Sequence, residues 1–367
     1  MVCLRSPLPA DTGGAKDMFE RLKAIRNEGV SIYLHYFTKE AEDIPQALRA
    51  LCEEVHAYPR KTNWDLILRG YPYIIASRSD TKLWERLRKD DHPILFDGIH
   101  TTAFLRNIDP TARRIVVRMH NDEVRYYQQL AHFEKNPFRR FYFWWESNRL
   151  DSWMRNLPEH TALGCIQEKE MALHKKCYPQ VDPFLLPPVI PQTVESSVGT
   201  GGYCLYHANL SILENEKAAI WLLKRVFAKI KLPLVIAGKS PSSKLEQLVH
   251  FYQHACLVAN PSTEEMQDLI RKAQMNVLPS RTRTGIKLKI FDALQYCRHC
   301  IINTEMNDSS PWTDSCVIAA DATEMAAQIK TLFKMPYTSE MSAQRAERLA
   351  YWRSKLDPVA ELIKRLW

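Results

Sequence analysis

Glycine is scarce in this chain, at 11 of 367 residues. That excludes a collagen-like repeat, which needs glycine at every third position. Cysteine is sparse too. Nine are present, an odd number at irregular spacing, so the sequence carries no disulfide framework of the kind that staples small secreted domains. No stretch approaches 18 uninterrupted apolar residues, which excludes a membrane-spanning helix. No heptad persists and no repeat of fixed period recurs, which excludes coiled coils and solenoids. The start, Met1 to Pro7, lacks a charged segment followed by a long apolar core and does not read as a signal peptide. Free cysteines without an export signal predict a cytoplasmic setting.

Excess charge of one sign is modest. Fifty Lys and Arg against 42 Asp and Glu leave a formal net charge of +8, spread over both halves. Nucleic-acid-binding domains concentrate their basic residues, so no nucleic-acid partner is expected. A mild positive surface suits anionic small ligands or an anionic membrane face.

What is present is ordinary for a globular chain: 46% hydrophobic and 25% charged residues. The length predicts about two domains. Short apolar runs alternate with amphipathic segments of helix length, which predicts parallel α/β layers. In the first half, strands are expected at 2–5, 30–36, 66–68, 74–77, 94–96, 115–118 and 162–166. Helices are expected at 14–28, 44–52, 81–89, 122–132 and 138–157. A Pro- and Gly-rich stretch over 183–202 reads as a linker. The second half restarts the rhythm. Its strands are expected at 203–207, 234–237, 257–259, 276–278, 299–302 and 317–319. Its helices are expected at 214–229, 244–254, 263–272, 286–296 and 323–333, the one at Thr263 opening with Ser262 and Glu265 as a capping box. The chain ends in helix from Ser339, broken near Asp357-Pro358. The predicted division is 1–190, 191–338 and a C-terminal helical segment 339–367. Two wound domains joined by a linker would leave a cleft suited to two substrates.

Ligands of open α/β sheets sit at the carboxyl ends of strands, so residues just past strands are the candidates. Asp11 to Lys16 follows the first strand and opens a helix; Gly13 and Gly14 either let the backbone approach an anionic ligand or form a plain turn. His120 ends the segment Arg118-Met119-His120, where it is either a hydrogen-bonding active-site residue or a loop residue beside a helix cap. Leu278 to Leu294 reads as strand, basic loop and amphipathic helix. Arg281, Lys287 and Lys289 with the backbone at Gly285 and Ile286 make a diphosphate cradle, and Asp292 could accept from ribose hydroxyls; the bland alternative is a solvated basic loop. Gly238-Lys239 follows another strand, and Lys239 either reaches a phosphate or is simply exposed. The lone Cys-x-x-Cys at Cys297 and Cys300 reads as buried free thiols rather than a zinc site. No metal-binding motif stands at a strand end. The aromatic stretch from Lys135 to Arg155 reads either as a core-facing helix or as an interfacial patch touching lipid headgroups.

Taken together, these motifs resemble the family 4 glycosyltransferases of GT-B fold, over essentially the whole chain. Asp11 to Lys16 resembles that family's N-terminal glycine-rich loop, and Val116 to His120 its strand ending in an active-site histidine. Leu186 to Pro191 sits where its linker begins. Tyr203 to Asn209, Val235 to Lys239 and Asn276 to Asn303 resemble its donor-domain core, and the final helices those that cross back to the N-terminal domain. The resemblance implies two Rossmann-like domains, an N-terminal acceptor domain and a C-terminal donor domain.

It further implies a retaining transfer of a hexose from a UDP- or GDP-linked sugar to a hydroxyl of a glycan or lipid-linked saccharide, with peripheral membrane contact and no cofactor. His120, Lys287 and Arg281 would carry the chemistry. Gly13, Gly14, Asn209, Gly238, Lys239, Thr284, Gly285, Ile286, Lys289 and Asp292 would bind the donor. The sequence departs from the family at two places. Its Glu-x7-Glu motif becomes Thr284 and Asp292, and its Arg and Lys pair after the first donor-domain strand is replaced by His207-Ala208-Asn209. Charge compensation then falls to Lys287, Lys239 and Arg281. Two alternatives stand beside this reading: a catalytically inactive partner subunit of the same fold, and a nucleotide-sugar epimerase.

Overall fold

The computed structural model describes the chain except Asp11, 40–42, Trp64, 67–69, Pro110, 282–285 and 309–311. It divides into two compact units, one formed by Met1–Val189 with Asp357–Trp367, the other by Ile190–Leu356.

The first unit holds a seven-stranded sheet: β1 (Val2–Cys3), β2 (Tyr33–Thr38), β3 (Glu54–Pro59), β4 (Ile94–Asp97), β5 (Ile115–Arg118), β6 (Ala162–Cys165) and β7 (Asp182–Leu185). Every pairing is parallel, and the order across the sheet is β3-β2-β1-β4-β5-β6-β7. The order reverses direction beside β1, so the switch point lies between β1 and β4, where open α/β sheets receive ligands. The central strands are buried on both faces, which is why their sequences are nearly continuous apolar runs. The helix Pro358–Leu366 re-enters this unit, placing Val359, Leu362 and Leu366 in the core with Leu34, Leu95 and Phe184.

The second unit repeats the plan with six parallel strands: β8 (Cys204–Asn209), β9 (Leu234–Lys239), β10 (Ala255–Ala259), β11 (Met275–Leu278), β12 (His299–Asn303) and β13 (Val317–Ala319). Their order is β10-β9-β8-β11-β12-β13. Its switch point lies between β8 and β11. The helix Thr263–Lys272 opens with Ser262 and Glu265 in a reciprocal capping box. Two doubly wound Rossmann-like sheets are the GT-B architecture.

Several expectations are corrected. The run 74–77 is not a strand: Tyr73–Ala76 is a short helix entered from Pro72. Its three apolar residues are too few to carry a period, and Pro72 starts the helix instead. Leu66 lies in a helical turn rather than a strand, and the rest of that expected run is outside the described residues. β3 and β7 were not expected. Both are sheet edges, where polar residues and prolines such as Pro59 and Pro183 are tolerated, so their apolar signal is weak. Pro183 therefore belongs to a strand, and the linker is shorter than 183–202. The helix Glu168–Cys177 was also missed. The C-terminal segment 339–367 is divided: the helix Ser339–Lys355 stays with the second unit, and only the helix after Asp357 joins the first.

Candidate active site

In the first unit, Thr12 caps the helix Gly13–Asn27, its side chain accepting from the Ala15 amide. Gly13 and Gly14 form the first turn and are exposed. A Cβ at Gly14 would meet nothing within 4 Å, so packing does not demand glycine there and the space beside the helix start is open. One turn further along, Asp17 and Arg21 point inward, and both are buried.

They meet the ends of two central strands. Asp97 closes β4 and Arg118 closes β5, and both are essentially inaccessible. Asp17 Oδ2 lies 2.6 Å from Arg21 and 2.8 Å from Arg118. Asp97 lies 3.6 Å from Arg21 and 3.7 Å from Arg118. Two carboxylates thus answer two guanidiniums in a dry interior, the arrangement that makes buried charge tolerable. Burial alone would raise the Asp97 carboxyl, but Arg21, His120 and Arg118 outweigh it and hold it well below the carboxylate range. Burial and Arg21 lower the Arg118 guanidinium to about 10, against the pull of both aspartates.

His120 sits on top of this network. Its Nε2 is 3.0 Å from Asp97 Oδ1, and its Nδ1 is 3.2 Å from an Arg118 nitrogen. Both ring nitrogens therefore face protein groups, and the ring is held rather than loose. Gly98 makes room for it. At φ +112°, that residue is in the left-handed region, and a Cβ there would lie 3.0 Å from Leu4 and 3.2 Å from the His120 ring. Asp17, Arg21, Asp97 and Gly98 escaped the sequence reading. A buried acid at a strand end followed by glycine was the available signal.

In the second unit, Asn209 ends β8 and its side chain accepts from the Ser211 amide and hydroxyl, so it shapes its own turn. Gly238 is the penultimate residue of β9, against β8. A Cβ there would fall 1.9 Å from the Ala208 carbonyl oxygen, so strand packing requires this glycine. Lys239 is exposed at the strand end. After β11, the loop is pinned from β12. Asn303 accepts from the Ser280 amide at 2.8 Å and donates to the Ser280 carbonyl at 2.7 Å. Arg281 follows, exposed. Thr284 and Gly285 lie outside the described residues. Asn303 was read only as part of a strand core, yet it positions the basic loop.

The helix after this loop is Lys289–Tyr296, not 286–296. Its first turn is closed by tight bonds, Ile290 amide to Lys287 carbonyl and Phe291 amide to Leu288 carbonyl, and Leu288 offers no side-chain cap. Ile286 and Lys287 therefore precede the helix, and the amide-rich end expected at Gly285 to Lys287 begins at Lys289 instead. Lys287 is half-buried, and burial lowers its ammonium while Glu214 opposes the shift. Lys289 turns back over the ring of buried Tyr206, 4.9 Å from its centre. Burial and Lys287 push its ammonium down to about 7. Asp292 is half-buried in the first turn of the helix.

Cys297 and Cys300 are buried free thiols, as expected. The helix Pro137–Arg155 splits its aromatics. Leu150, Trp153 and Met154 are in the core, whereas Phe138 is 83% exposed and Phe141, Trp144 and neighbouring Phe133 are exposed as well. A cavity of about 600 Å³ opens at the opposite end of the first sheet, at the amino ends of β2 to β4, away from the network.

Residues 202–335 match the family described as Glycosyl transferases group 1. A protein of Klebsiella pneumoniae, described as an uncharacterized 44.6 kDa protein in the cps region, is 24% identical; the match covers 88% of this chain and 87% of that one. Sucrose-phosphate synthase from Thermosynechococcus elongatus superimposes with a TM-score of 0.69 at 13% identity, over 99% of this chain and 97% of its own. HepE from Anabaena, solved in complex with UDP and glucose, gives 0.63 at 10% identity over 98% and 95%. WaaG, a glycosyltransferase involved in lipopolysaccharide biosynthesis, gives 0.61 at 11% identity over 98% and 96%. The chain has the GT-B fold, and within its second unit residues 202–335 carry the match to the glycosyl transferases group 1 family.

Proposed function

We propose that this GT-B glycosyltransferase moves a hexose from a nucleotide diphosphate sugar to a hydroxyl of a glycan or lipid-linked saccharide, with retention of configuration. The observation that carries this reading is the family match over 202–335 falling on the loops past β8, β9 and β11, where Lys239, Arg281 and Lys287 stand. The leaving diphosphate gathers negative charge as the sugar becomes oxocarbenium-like. Fixed cations aimed at that charge lower the barrier because they need no reorganisation during the reaction. Lys287 supplies the main charge, with Lys239 and Arg281 beside it. Asp292 holds the ribose. His120 orients the transferred sugar, a hydroxyl competing with Arg118 for Nδ1.

The same cations make a metal ion unnecessary. Transfer assayed as acceptor-dependent release of nucleoside diphosphate should survive excess EDTA. The anomeric configuration of the product, read by proton NMR, should match that of the donor. EDTA-sensitive or inverting transfer would contradict this mechanism. The cps-region relative supports a saccharide acceptor of polysaccharide assembly. The exposed Phe138, Phe141 and Trp144 beside Arg139 and Arg140 support peripheral contact with an anionic membrane face. Co-sedimentation with phosphatidylglycerol vesicles should be lost in a Phe138→Ser, Phe141→Ser double variant.

A further inference from the structure

The first unit holds more positive charge at the carboxyl end of its sheet than the Asp17 and Asp97 network answers. Arg60 follows β3 directly, and the Lys61 amide donates to the Ser77 carbonyl at 2.9 Å, which lays Arg60 beside Arg78. Arg78 is fixed just past β1: its Nε donates to the Leu4 carbonyl at 2.9 Å and one terminal nitrogen to the Ile74 carbonyl at 2.8 Å. The Cβ position of Gly98 lies 3.0 Å from the Leu4 side chain, 3.2 Å from His120 and 3.4 Å from His100 Nδ1, so Leu4, whose carbonyl holds Arg78, and the two histidines converge there.

Little offsets this charge. Among the described residues no carboxylate pairs with the Arg60 or Arg78 guanidinium. Arg60 Nε and His100 Nδ1 are buried without a hydrogen-bond partner. Glu123 is the nearest acid to His100, 4.0 Å from its Nε2. Burial and Asp122 raise the Glu123 carboxyl to about 7, so at neutral pH it supplies only part of a charge. Burial together with Arg60 lowers Arg78 to about 9 against the opposing pull of Tyr127 and Glu123, and burial, with Arg78, His120 and Arg60 behind it, holds His100 well below the usual imidazole range. Arg78 is buried with no carboxylate in ion-pair reach, a costly state that a bound anion relieves.

We infer that Arg60, Arg78 and His100 form a subsite for a phosphate group carried by the acceptor. Donors arriving from three separate segments, the end of β3, the turn after the helix Tyr73–Ala76 and the helical segment after β4, suit the several oxygens of a phosphate better than the two of a carboxylate. This inference rests on the transferase reading for the word acceptor, and on the first unit's geometry for the anion.

The test titrates inorganic phosphate, glucose 1-phosphate and acetate, at constant ionic strength and with saturating UDP or GDP filling the donor cradle, into the full chain and into Arg60→Gln, His100→Gln and Lys287→Ala variants. Thermal midpoint and calorimetry are the readouts. The expected result is phosphate binding in the wild type and in Lys287→Ala, weakened at least threefold in Arg60→Gln and His100→Gln, with no response to acetate. Glucose 1-phosphate should bind about tenfold more tightly than phosphate. Nucleoside diphosphate binding should be unchanged in Arg60→Gln. Phosphate binding that survives both first-unit variants, or that disappears in Lys287→Ala, overturns the subsite. Glucose 1-phosphate binding no tighter than the free ion overturns its assignment to the acceptor. Loss of all nucleotide binding with phosphate binding still dependent on Arg60 removes the transferase reading and leaves the anion site standing.

Discussion

Asp97 Oδ1 lies 3.0 Å from His120 Nε2, so the last residue of β4 positions the histidine that follows β5. The same carboxylate answers Arg21 and Arg118. Asp97→Asn keeps the shape but leaves buried positive charge unmatched, a loss on the order of 3–5 kcal/mol. Its thermal midpoint should fall by roughly 6–20 °C, given roughly 2–4 °C per kcal/mol for a unit of this size. His120→Asn removes the ring and not the network. It should fold with a near-native midpoint and lose at least a hundredfold in transfer rate. A His120→Asn variant with native turnover would remove the histidine from the mechanism.

Lys289 carries the second prediction. Its ammonium is held near 7 by burial and by Lys287. A nucleoside diphosphate binds the charged form better, so binding should take up a proton near neutral pH and weaken as pH rises from 7 to 9. Calorimetry in buffers of different ionisation enthalpy reads that proton directly. Lys289→Met should abolish the uptake and flatten the pH profile.

Glu123 predicts a pH effect on stability with a definite sign. Its folded pKa, about 7, lies above the ordinary glutamate value of 4.5. The folded state therefore binds more protons between those values, and the group's stabilisation is full below about 4.5 and lost as pH rises through 7. Several buried histidines shift the other way, so the test is a difference. Glu123→Gln should gain on the wild type in thermal midpoint between pH 5 and pH 8. A constant difference across that range would place Glu123 in solvent.

Much of the fold was legible in the sequence because buried parallel strands announce themselves as short apolar runs. Ile115–Arg118 and Val317–Ala319 occur where the pattern predicts them, as does the helix Thr263–Lys272 with its box. The edge strands β3 and β7 were not legible, since an edge need not be apolar. The run at Ile74 misled because four residues cannot distinguish a period of 2 from one of 3.6.

The candidate positions were legible where a residue follows or closes a strand, as at His120, Lys239 and Arg281. It was hidden where residues distant in sequence converge. Nothing local to Asp17 or Arg21 tells that they meet Asp97 and Arg118, and nothing local to Asn303 tells that it pins Ser280. Gly238 has a packing reason the sequence did not reveal. It was read for a ligand, while its backbone contact with β8 already requires glycine.

The measurement that tests the central claim most directly is nucleotide binding to the wild type and to Lys287→Ala, using UDP, GDP, CDP and ADP in a thermal-shift panel. A ligand that binds only the folded state raises the midpoint by mass action. The account predicts a selective rise with UDP or GDP that Lys287→Ala removes while its own unliganded midpoint stays native. No rise with any of the four, or a rise that Lys287→Ala leaves intact, would contradict it.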